Sequence, residues 1–308
     1  MVLAVIIPIF ILLCLGYLSL RLRLLNQIQI AAIGTFVIKI ALPALFFQSL
    51  AAKKLDEIWF AEYFIVYASI TFILYGSAYW LVLKYFQYNR SETSVFSLGA
   101  AMSNTGLIGT AVLTLLMGEK AMMYTSLVVI IESVLLLPLV LILAEVGMQT
   151  KMPVAMIIKN TLLMLVKNPL FMAVVLGMSC SVLQLTIPHY LDDVLKLLGQ
   201  AASPLALFAI GGGMVGMTLK YVNLASCYIV FSSNILMPLL VFLGLSYLTD
   251  VDQEMIYAGT IIAALPMPTL FAILGQVYGL NARALTPLLM STILGFTVIS
   301  GLITLWWT

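Results

Sequence analysis

Two apolar stretches of this sequence are each interrupted by residues able to bind a small polar ligand. Residues 103–110 (SNTGLIGT) place hydroxyls, an amide and two glycines inside the first stretch, and residues 264–269 (ALPMPT) place two prolines inside the second. Proline disrupts the hydrogen bonds of the preceding helical turn, and freed backbone groups at membrane depth are tolerated only inside protein or a watery cavity. We therefore predict a ligand site where the two interrupted helices meet. The alternative is that these residues merely kink their helices.

Asn104 is the strongest single candidate for binding, because its amide offers two donors and an acceptor, which suits a carboxylate. The predicted substrate-binding residues are Asn104, Thr105, Gly106, Pro266, Met267, Pro268, Lys39 and Asn234. For Asn234 the alternative is a structural hydrogen bond between helices, which is common for this residue type in membranes.

Two ionisable residues, Lys39 and Glu132, also lie within apolar stretches. A charge at that depth costs on the order of a few kcal/mol, so it normally faces the protein interior and has a function. Lys39 is expected to meet a substrate carboxylate or to compensate Glu132, unless it is structural or extends to the membrane surface. Burial disfavours the charged form of a carboxylate, so Glu132 is the candidate proton carrier, and a packed, protonated Glu132 is the alternative. With Gln200, these residues form the predicted set for proton or ion coupling.

The surrounding sequence has the composition of a membrane protein. Of its 308 residues, 63% are hydrophobic and 8% are charged, whereas about 25% are charged in an average soluble domain. Windows about twenty residues long, enough to cross roughly 30 Å of hydrocarbon, give ten predicted spans: 2–20, 29–50, 60–83, 95–117, 122–144, 169–187, 193–218, 222–248, 255–278 and 286–307. The predicted fold class is an all-α integral membrane protein whose fourth and ninth spans are broken and cross at mid-membrane. A net charge of +2 indicates no nucleic-acid partner, and no motif predicts a metal or another cofactor.

The ten predicted spans divide into two related halves. At an offset of 161 positions two proline pairs and two glycine pairs coincide: Pro8 with Pro169, Pro43 with Pro204, Gly16 with Gly177 and Gly118 with Gly279. Five spans per half is an odd number, so the second copy inserts with opposite orientation, as in secondary transporters. The predicted domains are a first repeat (1–148), a cytoplasmic linker with a short interfacial helix (149–168) and a second, inverted repeat (169–308). Lys39 and Gln200 occupy equivalent positions at this offset.

The distribution of charge predicts the orientation. Basic residues concentrate in the odd-numbered loops, as at Arg21, Arg90 and Arg283, and acidic residues concentrate in the even-numbered loops, as at Glu62 and Asp250. Because basic loops stay in the cytoplasm, we predict a multi-pass protein of the cell inner (plasma) membrane with both termini on the outer side.

Several motifs resemble the auxin efflux carrier family of membrane transporters, in its bacterial form. The matching segments, which together extend over nearly the whole chain, are 42–46 (LPALF), 104–109 (NTGLIG), 168–170 (NPL), 265–279 and 291–292. One departure is Ala111, where the family usually has proline two residues after the second glycine; this predicts a less sharply broken fourth span. The resemblance implies a fold like that of bile-acid sodium symporters, with spans 1, 2, 6 and 7 as a scaffold. It also implies that spans 3–5 and 8–10 form a transport domain, that substrates are small carboxylate anions, and that the protein is a homodimer.

The predicted function is therefore secondary active transport of small organic carboxylate anions by alternating access, coupled to protons or driven by the membrane potential. The alternative is a sodium-coupled symporter, in which freed carbonyls with Asn104, Thr105 and Thr269 would hold Na⁺. A channel is less favoured, because no ring of charges or repeated filter motif occurs. An intramembrane enzyme is also less favoured, because the single histidine, His189, lies in a predicted outer loop. The predicted partners are a small carboxylate, the lipid bilayer, H⁺ or Na⁺, and a second copy of the chain.

Overall fold

Helices make up the regular structure of the computed structural model, and no strand occurs among the residues that it describes. Those residues are 2–51, 54, 59–148, 156, 159, 162–163, 166–215, 222–280 and 282–306. The predicted interfacial helix between 149 and 168 lies largely outside this described part of the chain.

The described part of the first half contains six helices, namely α1 (Val2–Arg21), α2 (Gln27–Ala51), α3 (Ala61–Tyr85), α4 (Arg90–Leu98), α5 (105–117) and α6 (121–147). Asn26 and Asn89 begin α2 and α4 with reciprocal side-chain and backbone hydrogen bonds, which satisfy amide groups that a helix start leaves free. Gly118 has φ of +63°, a conformation that favours glycine, and it separates α5 from α6.

Six helices also occur among the residues described in the second half, namely α7 (Pro169–Leu183), α8 (His189–Gly213), α9 (Leu224–Leu248), α10 (Gln253–Ala264), α11 (Thr269–Val277) and α12 (Ala282–Trp306). Asn168, Asn223 and Asp252 accept hydrogen bonds from the first free amides of α7, α9 and α10. Gly279, the partner of Gly118 at the offset of 161, follows α11 and also has positive φ, at +89°.

Within the described residues, six helical stretches are long and apolar enough to cross a membrane, judged by length and composition: Gln27–Ala51, Ala61–Tyr85, Thr105–Gly147, His189–Gly213, Leu224–Leu248 and Arg283–Trp306. The apolar segments Phe10–Arg21 and Pro169–Leu183 are shorter. Each of the ten predicted spans overlaps either one helix or two consecutive helices, and the two divided spans are the fourth (α4 and α5) and the ninth (α10 and α11).

The helices pack in two groups. In the first, which we call the four-helix group, α1 packs along α8, α7 packs along α2, and α2 packs against α8. In the second, the eight-helix group, α4 packs on α6, α9 packs on α10 and α3, and α12 contacts α9 and α11. Contacts of α5 with α8 and of α6 with α2 join the two groups.

Glycines allow the backbones of the four-helix group to touch. A Cβ atom on Gly16 would lie 1.9 Å from the carbonyl oxygen of Phe208, and one on Gly177 would lie 3.2 Å from that of Phe47. At the offset of 161, Gly16 corresponds to Gly177 and Phe47 corresponds to Phe208. The contact of α1 with α8 therefore has a counterpart in the contact of α7 with α2, in the small-residue packing usual for membrane helices.

Ion pairs and hydrogen bonds near the helix ends connect odd-numbered loops with one another and even-numbered loops with one another. Arg283 forms an ion pair with Glu92, next to the ninth and third predicted loops. At the even-numbered loops, Lys120 pairs with Glu254 at 2.9 Å, the Asp250 amide donates to Glu62 at 3.0 Å, and Gln48 donates to Asp192 at 3.0 Å. Each pair joins helices within one group.

Candidate functional site: two broken helices and a cavity

The two helix breaks contact each other directly. Helix α4 ends at Leu98 and α5 begins at Thr105, while α10 ends at Ala264 and α11 begins at Thr269. Between them, the backbone amide of Asn104 donates a hydrogen bond of 2.8 Å to the carbonyl oxygen of Pro266. Each break thus satisfies a backbone group of the other, as an interrupted helix in apolar surroundings requires.

Glu132 holds the first break in place. Its Oε1 atom accepts a hydrogen bond of 2.9 Å from the backbone amide of Ser103 and one of 3.0 Å from the Thr105 hydroxyl. The Glu132 side chain is only 2% exposed. Asn104 therefore lies between two residues that are tied to a single carboxylate oxygen on α6.

The second break is held by side chains of α9 and α12. The Asn234 amide donates to the carbonyl oxygens of Ala264 and Leu265 at 3.1 and 3.2 Å, and the Met267 backbone amide donates to Ser291 Oγ at 2.9 Å. Asn234 is fully buried. Its position agrees with a structural hydrogen bond between helices, because it satisfies two carbonyls that the prolines leave free.

A cavity of about 460 Å³ opens beside the crossing, between the four-helix and eight-helix groups. Its polar lining residues are Gln27 and Thr35 of α2, Asn104, and Thr292 of α12, and the remaining lining, which includes Met267, is apolar. Asn104 is 8% exposed, and its side-chain amide makes no hydrogen bond to another described residue. Its donors and acceptor are therefore free for a ligand in the cavity.

The other predicted residues of the crossing are not among the described lining residues of this cavity. Thr105, Pro266 and Pro268 are buried, and Pro268 immediately precedes α11. Gly106 is half-buried, and a Cβ atom there would lie 2.9 Å from Leu170 Cδ2 of α7. The side chain of Thr269 is outside the described part of the structure.

Lys39 and Gln200 differ from the expectation that intramembrane polar residues face the interior, because both side chains are exposed. The buried face of α2 passes through Val37 and Ala41, which are fully buried, and this register places Lys39 on the exposed side of the helix. Lys39 is not among the described lining residues of the cavity, and the hydrogen bonds of Glu132 go to Ser103 and Thr105 instead.

Five of the predicted site residues lie in four π-helical turns, in which the helix carries one extra residue per turn. These turns are Val37–Ala41 with Lys39, Thr105–Gly109 with Thr105 and Gly106, Ile131–Leu136 with Glu132, and Ser232–Leu236 with Asn234. Such turns are rare and frequently occur at functional sites. Sequence reasoning missed Gln27, Thr35, Ser291 and Thr292 as site residues, because single hydroxyl and amide residues are common in the helices of any membrane protein.

The helices and the site together define a multi-pass membrane protein with an internal polar crossing. The model of the membrane transport protein family matches residues 1–304, so the chain belongs to that family, and the resemblance to auxin efflux carriers is confirmed. A putative malonate transporter of Rhizobium meliloti (strain 1021) is 26% identical over 299 residues, covering 97% of this chain and 93% of that protein. The uncharacterised transporter YfdV of Escherichia coli (strain K12) is 27% identical over 310 residues, covering 96% of this chain and 94% of that protein.

Proposed function

We propose that this protein is a secondary active transporter that moves small organic carboxylate anions across the membrane by alternating access. The observation that carries the proposal is the crossing itself, where the Asn104 amide group faces a cavity between two groups of helices. Broken helices at equivalent positions of two repeats are the usual location of a transporter's substrate site.

A carboxylate is the proposed ligand because the cavity offers donors at the crossing. The Asn104 side chain provides two N–H groups, and the starts of α5 at Thr105 and α11 at Thr269 carry the partial positive charge of helix N-termini. None of the described lining residues is acidic, so nothing there repels an anion. The putative malonate transporter among the relatives supports this substrate class.

The proposed architecture is ten spans in two inverted five-helix repeats, with the four-helix group as scaffold and the eight-helix group as transport domain. Support comes from the equivalent contacts of Gly16 with Phe208 and of Gly177 with Phe47, and from the positive φ of both Gly118 and Gly279. In the proposed cycle the transport domain rocks against the scaffold and exposes the cavity to each side in turn.

For coupling, we favour a proton on Glu132 over a sodium ion. Glu132 Oε1 already accepts hydrogen bonds from Ser103 and Thr105, so donors, rather than further oxygen ligands, face that atom. A cation site requires the opposite arrangement, with several oxygens directed at one point. Protonation of Glu132 would weaken its hold on the two residues that flank Asn104 and thereby link proton binding to the substrate site.

We further propose an inner-membrane location with both termini outside, and a homodimer formed through the scaffold. The pairs Arg283–Glu92 and Lys120–Glu254 support the assignment of odd and even loops to opposite sides. A partner subunit on the scaffold would cover Lys39 and Gln200, which otherwise place polar groups on its outer face.

The test is uptake of labelled mono- and dicarboxylates, malonate among them, by the purified protein in proteoliposomes. We expect saturable uptake and counterflow for at least one small carboxylate. Asn104→Ala should weaken its binding roughly 10- to 100-fold, the usual contribution of hydrogen bonds to a charged group. Asn104→Asp, which keeps the shape and adds a negative charge, should weaken binding further. Unchanged binding in both variants, with correct membrane insertion, would refute this placement of the site.

A further inference from the structure

Three tyrosines form a continuous line within the eight-helix group. Tyr63 and Tyr67 lie one turn apart on α3, with ring centroids 6.0 Å apart, and Tyr63 lies 6.3 Å from Tyr124 of α6. Tyr124 begins the line near the turn that separates α5 from α6. Its phenol is within electrostatic range of Asp252 and Glu254, at the end of the molecule with the even-numbered loops.

The inner end of the line reaches Glu132. Tyr63 and Tyr67 both lie close enough to the Glu132 carboxylate to interact with it electrostatically. The Tyr67 hydroxyl is also a neighbour of the Ser103 side chain, although the two do not reach hydrogen-bond geometry. Glu132 contacts Ser103 and Thr105 of the first break, which do not titrate. Within the described residues, Tyr63 and Tyr67 are therefore the titratable neighbours of Glu132.

Two of the three tyrosine hydroxyls along this line, those of Tyr63 and Tyr67, are buried without hydrogen-bond partners among the described residues. Tyr63 and Tyr67 are fully buried, and their hydroxyls, like that of Ser103, have no partner among the described residues. Leaving a buried hydroxyl unpaired costs about 1–3 kcal/mol. Burying the unpaired hydroxyls of Tyr63, Tyr67 and Ser103 close together is therefore costly if these residues serve only in packing. Tyr75, further along α3, shows the ordinary arrangement, since its hydroxyl pairs with Ser94 Oγ at 2.8 Å.

We propose that Tyr124, Tyr63 and Tyr67 form a proton relay between Glu132 and the aqueous face that carries Asp252 and Glu254. The relay rests on the proposed proton coupling. A proton from water joins the Tyr124 oxygen while the proton already there leaves toward Tyr63, and the same exchange repeats at Tyr63 and Tyr67. Hydroxyl rotation and bridging water carry the proton between oxygens, and the last proton joins the Glu132 carboxylate. Only O–H bonds form and break, and each tyrosine ends neutral.

The relay has a consequence for the direction of coupling. The relay leads to the face with the even-numbered loops, which the charge distribution places outside. Glu132 therefore exchanges protons with that face by a route separate from the substrate cavity. The Asn104 cavity is lined by α2, α5, α8, α11 and α12, whereas the tyrosines belong to α3 and α6.

The test removes single hydroxyls and keeps the rings. In proteoliposomes, Tyr67→Phe and Tyr63→Phe should slow uptake of labelled malonate driven by a pH gradient roughly 100-fold, the lower end of the effect of one positioned proton-transfer group. Malonate counterflow without a gradient requires no net proton movement and should be unchanged. Tyr75→Phe is the matched control, because it removes a buried hydroxyl from the same helix away from the line and should alter neither rate.

Normal gradient-driven uptake in both Tyr63→Phe and Tyr67→Phe would overturn the relay. Equal loss of gradient-driven uptake and counterflow in both variants would also overturn it, because the tyrosines would then be structural. Glu132→Gln, measured in parallel, separates the two proposals. If Glu132→Gln abolishes the dependence on the pH gradient and the tyrosine variants do not change it, the relay fails and proton coupling stands. If Glu132→Gln keeps the dependence, proton coupling itself fails, and the relay fails with it.

Discussion

At the scale of single residues, Glu132 combines a structural role with the proposed role in coupling, and the two are separable. Its Oε1 atom satisfies the Ser103 amide and the Thr105 hydroxyl, and its carboxyl group is the proposed proton carrier. Because a glutamine oxygen accepts the same two hydrogen bonds, Glu132→Gln should fold normally and transport without dependence on an imposed pH gradient.

Glu132→Leu is expected to lose both roles. It leaves two buried donors unpaired, at a cost of about 1–3 kcal/mol each, so its thermal unfolding temperature in detergent should fall clearly below that of Glu132→Gln. Uptake at several imposed pH gradients, together with thermal melting of both variants, distinguishes the roles. Equal melting temperatures for the two variants would show that the hydrogen bonds to Ser103 and Thr105 contribute little to stability.

Residue types alone predicted part of the candidate site, but not the side of the helix on which each side chain lies. The burial of Glu132 and the position of Asn104 at a cavity follow from polar residues in apolar surroundings. Lys39 carries the same signal and yet faces outward, because the helix register of α2 is set by the packing of Val37 and Ala41. The sequence predicts that a charged residue lies at membrane depth, but tertiary packing determines which side of the helix it occupies.

At the scale of helices, close packing of α12 against the second break is a requirement of the crossing. A Cβ atom on Gly295 would lie 2.9 Å from the backbone nitrogen of Pro266 and 2.9 Å from Asn234 Nδ2. Gly295→Ala should therefore displace the break, with a loss of stability of about 1–3 kcal/mol typical of overpacking and slower transport.

Gly301 is the matched control on the same helix, because a Cβ atom there meets nothing within 4 Å. Gly301→Ala should be neutral or should stabilise the protein by roughly 0.5–1 kcal/mol, the usual gain from alanine in a helix interior. Thermal melting and carboxylate counterflow of the two variants provide the comparison. Normal melting and transport in Gly295→Ala would show that α12 can move away from the crossing without cost.

The positions of the helices were largely predictable, but the cause of the first break was not. Two prolines predict the second break between α10 and α11 through their missing amides. In the first break, the non-helical residues are 99–104, and Gly106 and Gly109 lie inside the following helix. These glycines allow close contact with Leu170 and Leu265. The break persists without a proline at Ala111, because Glu132, distant in sequence, binds the backbone of Ser103.

At the scale of the whole molecule, the proposed rocking motion requires two helix groups that can move past each other. The ion pairs and hydrogen bonds of Arg283, Lys120, Glu62 and Gln48 each join helices of one group. Between the groups lie the cavity and close apolar contacts such as Gly106 against Leu170. Apolar surfaces slide without breaking directional bonds, so a rocking motion costs least along this boundary.

Cross-linking the boundary should therefore stop transport, whereas cross-linking within one group should not. In a background with serine replacing Cys14, Cys180 and Cys227, Gly106→Cys with Leu170→Cys connects the groups. The control, Gly177→Cys with Leu50→Cys, lies within the four-helix group, where a Cβ on Gly177 would be 3.0 Å from that of Leu50. A short, reducible thiol cross-linker should abolish carboxylate counterflow in the first variant, reduction should restore it, and the control should transport in both states. Transport that continues through the cross-linked 106–170 pair would mean that the moving boundary lies elsewhere, because a rigid link between α5 and α7 is incompatible with rocking of one group against the other.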